Sequence, residues 1–300
     1  MIALAIAAAA AVAQPKLVAV IPPAHRLIEG VASDGETIWV SSVIDRQIIA
    51  CTTSCRTLAQ LSPGLHPLGI AWDWGRKLIW IAADCPGIAG TEKCDRGALM
   101  AIDRYGRSHG RIAPRADQFH PGDVFASAAG VFVSDSRSGL IYALIPRHPG
   151  LRPVNRPGDG KSAQGVALAS SGTALIVADY ARGIGMLDLG TKKTNWLPKQ
   201  DGKPLKGVDG LIRCGDTYFG VHNGTAPGTL VAISLAGNRI AVSRPLGDSS
   251  LVDPTQIAFD GKHLLIVADS GWANVEKTAS VRAKGATILS VPMGRDCQLK

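Results

Sequence analysis

The chain has 300 residues, 46% of them hydrophobic and 19% charged, with a net charge of +8. That apolar content is ample for a core and excludes a disordered chain. The positive charge is spread along the sequence without basic runs or interleaved aromatics, which argues against nucleic acid as a partner.

Residues 1–13 are almost all Ala, Ile, Leu and Val and end Ala11-Val12-Ala13 ahead of Gln14 and Pro15. A short apolar stretch closed by a small-x-small site reads as a secretory signal cleaved after Ala13, although a basic start is missing. The mature domain then covers 14–300 and is expected to be secreted or periplasmic. No later apolar run is long enough to span a bilayer.

A strand over 16–21 follows, with no partner nearby in the sequence. From there one phrase recurs, in which a head residue stands before a Gly or its equivalent and a short apolar strand, and a turn leads into a second strand. The copies are Glu29-Gly30-Val31, Leu68-Gly69-Ile70, Gly122-Asp123-Val124, Gln164-Gly165-Val166, Asp209-Gly210-Leu211 and Thr255-Gln256-Ile257. The heads fall at 29, 68, 122, 164, 209 and 255, spaced by 39 to 54 residues. A period of that size with about four short strands per unit is the signature of a β-propeller, and six copies predict an all-β, six-bladed ring. The last copy is one strand short, so the strand over 16–21 is expected to complete it and close the ring, leaving no open sheet edge.

Within this frame the longest step contains the loop 84–94, bracketed by Cys85 and Cys94. The sixth copy carries an insertion over 271–285 with Trp272 and Glu276, which reads as a solvated loop in preference to a surface lid. Six cysteines suit an exported chain. Cys51 with Cys55 can close a small loop and Cys85 with Cys94 can pin the insertion, which leaves Cys214 and Cys297; spacing alone does not fix the pairing. Zinc is the rival use, but no pair has the two-residue spacing such sites favour.

The first strand of each propeller blade lines the central channel, so the six heads are expected to look at the axis. Glu29, Gln164 and Asp209 then converge as two carboxylates and an amide oxygen, a donor set suited to a hard divalent cation. The alternative is a hydrated channel in which the two carboxylates raise each other's pKa. The second strand of each blade returns to the same mouth and brings Ser42, Asp135, Asp179, His222 and Asp269, while entering loops add His66 and His120. Aspartates at strand ends usually cap turns through their side chains. His222 replaces the Asp in the blade that carries Asp209, and imidazole titrates near neutral pH, so it is the candidate base. No Gly-x-Ser-x-Gly elbow or unpaired cysteine offers a nucleophile.

Glu29-Gly30, Gln164-Gly165, Asp209-Gly210 and Val221-His222-Asn223-Gly224 resemble phrases of the gluconolactonase and regucalcin family of six-bladed propellers, with more distant likeness to strictosidine-synthase-like and paraoxonase-like propellers. The resemblance implies Glu29, Gln164 and Asp209 as ligands of a divalent cation, calcium first and zinc or manganese after it. Gln164 stands where the family has Asn, and His120-Pro121-Gly122-Asp123 stands where it has a substrate-contacting Asn-Asp-Gly. It therefore implies a metal-dependent lactone or ester hydrolase. On the residues themselves, Asp209 and His222, or a metal-bound water, are the candidate catalytic groups, and His66, His120 and Asp123 are the candidates at the substrate, a structural role being the more usual one for the two histidines. The competing expectations are a propeller that binds a small molecule, sugar or protein without catalysis, and a hydrated scaffold. A monomer is expected.

Overall fold

The computed structural model describes residues 14–88, 91–246, 251–275, 285–294 and 297, so the proposed signal over 1–13 lies outside the described residues, as do Glu276 and the rest of 276–284. Six four-stranded antiparallel sheets make up the chain. The first four blades are Ile28–Ser33, Ile38–Ser42, Gln47–Cys51 and Cys55–Gln60; His66–Asp73, Leu78–Asp84, Ala98–Asp103 and Ser108–Ile112; Pro121–Ser127, Gly130–Asp135, Ile141–Leu144 and Arg152–Pro153; and Ala163–Leu168, Ala174–Asp179, Gly183–Asp188 and Thr194–Trp196. Blade five is Val208–Cys214, Thr217–His222, Thr229–Ala236 and Arg239–Ser243. In blade six, Ile257–Phe259, His263–Ala268 and Thr287–Pro292 are completed by Lys16–Val20, which pairs antiparallel with Thr287–Pro292. The ring is closed as the missing strand required.

The packing explains why most strands read as apolar on both faces. Each blade is covered by its two neighbours, so both faces of its inner strands are buried, and six separate cores lie between adjacent blades. Between blades one and two, for instance, Trp39 and Trp72 stack at 4.9 Å with Ile48, Ile70 and Ile79 around them. The outermost strands lose the pattern because one side meets water: Lys16–Val20 leaves Leu17 and Val20 more than half exposed. Tight turns join first and second strands. In blade five Cys214 pairs with Thr217 across Gly215-Asp216, and Gly215 takes the positive φ of 59° that such a two-residue turn demands.

All six cysteines are paired, as Cys51–Cys55, Cys85–Cys94 and Cys214–Cys297. The last tie fastens the C-terminal stretch to the first strand of blade five. Among the described residues no helix is long and apolar enough to cross a membrane.

The recurring phrase has one structural meaning. In each of the first five blades the ladder between first and second strands slips at the phrase, between Ile28 and Val31, Pro67 and Ile70, Pro121 and Asp123, Ala163 and Val166, and Val208 and Leu211. A bulge of this kind leaves a residue out of register and re-aims its side chain. Here it turns the head toward the axis. The residue that follows is glycine in four blades because neighbouring inner strands touch there: a Cβ on Gly30 would lie 2.6 Å from the Leu68 carbonyl, and one on Gly165 would lie 2.6 Å from the Asp209 carbonyl. Blades three and six break the rule with Asp123 and Gln256.

Candidate functional site

The bulges bring all six heads to one cavity of about 370 Å³ at the mouth of the channel, where Glu29, Leu68, Gly122, Gln164, Asp209 and Thr255 all take part in the lining. The residues two places further on, Val31, Ile70, Val124, Val166, Leu211 and Ile257, line a different and apolar chamber on the opposite side. What separates the two is the level between them, occupied by the four glycines and by Asp123 and Gln256. Gln256 Nε2 donates to Asp123 Oδ1 across the ring, and Gln256 Oε1 accepts from Val31 N at 2.7 Å. The channel is therefore divided at a waist.

In the upper cavity, Glu29 and Asp209 act on each other. Burial and then the Asp209 carboxylate push Glu29 well above the usual carboxylate range, against a hydrogen bond donated by Trp272 Nε1. Burial likewise raises Asp209 to about 6, opposed by Asn223 Nδ2, which donates at 2.9 Å to Asp209 Oδ2 and at 2.9 Å to the Pro254 carbonyl. Both of those acceptors fix the orientation of the Asn223 amide, and its Oδ1 is buried without a partner. Gln164 Oε1 lies 3.1 Å from where a Cβ on Gly122 would stand, so the missing side chain in blade three makes room for the longer amide. Thr255 Oγ1 donates at 2.7 Å to the Glu29 carbonyl and ties blade six to blade one.

These features meet the chemistry of a hard cation. Two mutually repelling carboxylates, the orphaned Asn223 oxygen and the Gln164 oxygen form an all-oxygen set of the kind calcium takes. Among the described residues a cage built from three carboxylates is not formed. Among the described residues, the only three Asp, Glu, His or Cys ligand atoms that all lie within 4.8 Å of one another belong to Asp84, Cys85 and Cys94, and the two cysteines are bonded to each other.

The other expected site residues sit elsewhere. Asp123 is at the waist and faces the lower chamber, where burial is the main cause that raises its pKa to about 7, with Asp209 adding to it. Its backbone position is one step deeper than a head, because blade three puts glycine in the head position itself. His66 is buried under the surface loops, Nδ1 donating at 2.7 Å to the Val43 carbonyl and Nε2 lying 2.7 Å from Glu92. His120 Nδ1 lies 3.2 Å from Asp84 Oδ1. Neither lines the upper cavity.

His222 is also absent from that lining, and its place in the blade says why. It pairs with Val208 as Asp179 pairs with Ala163 and Asp135 with Pro121, so all three end the second strand opposite the start of the first. There Asp135 accepts from His120 N, and Asp179 accepts from Lys161 N and Ser162 N, each aspartate also capping the next turn. In blade five the entering loop offers a carbonyl instead, that of Lys206, and the His222 ring donates to it through Nε2 at 2.9 Å. The change from Asp to His thus follows a change from donor to acceptor. Burial lowers the pKa of the ring and keeps it neutral, which suits that role.

Two residues of the cavity were missed by sequence reasoning. Trp272 comes from the insertion over 271–285, which is not simply a solvated loop at its start: Trp272–Val275 forms one helical turn, and Val275 packs on Leu27, Val43 and Leu68 with Trp272 against the same cluster. Asn223 was legible only as the residue after His222 in a strand end. Tyr180, Ser136, Arg137 and Ser162 complete the polar wall.

No protein-family model matches the sequence, and no curated protein is significantly similar to it. Solved structures share the fold. A gluconolactonase from Xanthomonas campestris is 14% identical with a TM-score of 0.60 over 94% of this chain and 96% of its own. Regucalcin from Agrobacterium tumefaciens, described as a calcium-binding protein, is 15% identical with a TM-score of 0.62 over 96% and 98%. The PQQ-bound aldose sugar dehydrogenase of Streptomyces coelicolor is 14% identical with a TM-score of 0.62 over 95% and 99%. Likenesses this even, across different chemistries, establish the propeller fold and leave activity to the site.

Proposed function

We propose that the upper cavity is the active site of a divalent-cation-dependent hydrolase of lactones or esters, in a protein exported from the cytoplasm. The observation that carries this reading is the convergence of Glu29 and Asp209, from blades one and five, on one cavity whose single arginine among the described residues, Arg137, serves the Pro86 carbonyl and Asp84 and does not act on either of them. Calcium is the expected ion, since the donors are all oxygen. Glu29, Gln164 and Asp209 would hold it, with the free Asn223 oxygen in reach of the same group. When bound, such an ion supplies Lewis-acid polarisation of a substrate carbonyl.

The chain's own groups have separate tasks. Trp272 and Asn223 each donate to one carboxylate oxygen and so fix how Glu29 and Asp209 present the other. Asp209 is the candidate to receive the proton of an attacking water, because His222 is committed to Lys206 outside the cavity. Tyr180, Ser136 and Ser162 offer hydroxyls to a polar substrate. The three paired sets of cysteines support export, because such bonds persist in oxidising compartments.

The experiment is hydrolysis of a panel of aldonolactones and aryl esters by purified protein with calcium, manganese or zinc, repeated with Asp209→Ala. Turnover that requires the ion and is lost in the variant supports the proposal; no turnover with any ion overturns it. A second reading, a propeller that binds a small polar ligand without catalysis, is favoured by one observation: no histidine lines the cavity.

A further inference from the structure

Below the waist the channel has a second chamber of about 110 Å³, open toward the face opposite the polar mouth. Its walls are the apolar residues that follow the phrase, Val31, Ile70, Val166, Leu211 and Ile257 among them, with Trp72 nearer the rim. Among the described residues only two charged ones line it, Asp123 at the inner end and Arg213 two residues beyond Leu211 toward the outer end. The guanidinium of Arg213 has no carboxylate partner among the described residues, and its one hydrogen bond is a long 3.5 Å contact from NH1 to the Gly215 carbonyl. Asp123, bonded to Val124 N and Gln256 and with a pKa near 7, is uncharged below neutral pH.

We propose that this chamber binds a small apolar monocarboxylate, its hydrocarbon end against the Asp123–Gln256 waist and its carboxylate on Arg213. The size is right for such a molecule. An engineered cavity of about 150 Å³ with apolar walls accepts benzene, and a chamber somewhat smaller but open at one end suits a chain of comparable bulk. Its depth follows from the strands: about three residues separate the waist from the Arg213 level, roughly 10 Å at about 3.3 Å each, the length of a short fatty acid. An amine of the same shape would meet Arg213 as a like charge, and an alcohol would forgo the ionic contact. The site is independent of the upper cavity, with which it shares no lining residue.

Sodium hexanoate, hexylamine and hexan-1-ol should be titrated into the purified full chain in the presence of a chelator, at pH 6, by isothermal calorimetry and by tryptophan fluorescence, which Trp72 and Trp74 at the chamber should report. Saturable binding of hexanoate is expected, weaker binding of hexanol, and none of hexylamine. Arg213→Gln should weaken hexanoate by about threefold to tenfold and remove its advantage over hexanol, and Arg213→Lys should restore part of it. Tyr180→Phe, in the wall of the upper cavity, should leave hexanoate binding unchanged. Equal affinity for the amine and the acid, indifference to Arg213→Gln, loss of binding in Tyr180→Phe, or no saturation up to about 10 mM would each overturn the proposal.

Discussion

Asp123→Asn should make the protein more stable at alkaline pH, and the reason lies in the waist. The native carboxylate accepts hydrogen bonds from Val124 N and Gln256 Nε2 through the same oxygen, Oδ1, and an asparagine oxygen can accept both. What the substitution removes is a charge. Burial, with help from Asp209, raises the folded pKa from 3.8 to about 7. For a group raised on folding, the native state holds a proton that the unfolded chain has released. Its stabilising share is therefore complete below about pH 4 and lost as the pH climbs through 7, and above that the ionised form works against the fold. About three pH units at about 1.4 kcal/mol each set a ceiling near 4 kcal/mol. Because Asp209 shares in the repulsion, a gain of about 2 to 4 kcal/mol at pH 8 is expected, a rise of roughly 4–12 °C in Tm. Thermal melts followed by circular dichroism from pH 4 to pH 8, with chelator, measure it. The variant should melt with the wild type at pH 4 and above it at pH 8. A difference that does not vary with pH, or a variant less stable at pH 8, would refute the assignment of a buried, uncompensated carboxylate to the waist.

The neighbouring glycines give a second expectation: Gly165→Ala drives a Cβ onto the Asp209 carbonyl and the Leu211 amide, so urea denaturation should show a loss of about 2 to 4 kcal/mol, whereas a neutral result would contradict the close approach of blades four and five. His222→Gln keeps a donor for the Lys206 carbonyl and should change stability by less than about 1 kcal/mol while leaving hydrolysis intact; a large fall in turnover would return the ring to the mechanism. Replacing both Cys214 and Cys297 by Ser releases a tie across 83 residues and should cost about 4 kcal/mol in chemical denaturation, with no loss expected only if the pair is not formed.

How far the sequence could be read depended on repetition. Six blades and the six residues at the mouth were legible because each belongs to one copy of a phrase, comparing copies fixes a register that no single copy shows, and the closing strand followed from the last copy being one strand short. Asp123 and Gln256 were misread or passed over for the same reason: they occupy the glycine position of the phrase, and only the closeness of the strands at the axis reveals that a side chain there must plug the channel. Trp272 belongs to an insertion outside the repeat, so nothing in its spacing pointed at Glu29. His222 drew notice by breaking the Asp pattern, but the pattern concerned the hydrogen bonds of the entering loop, and the partner that changed with it, the Lys206 carbonyl, cannot be read from residue types.

The central claim is that Glu29 and Asp209 share an ion. Calcium titrated calorimetrically into chelator-stripped protein measures it, together with Glu29→Gln and Asp209→Asn. One ion per chain is expected, with each substitution weakening it by at least about tenfold as a charged oxygen ligand is lost. No binding of calcium, manganese or zinc, or equal binding by the wild type and both variants, would contradict it.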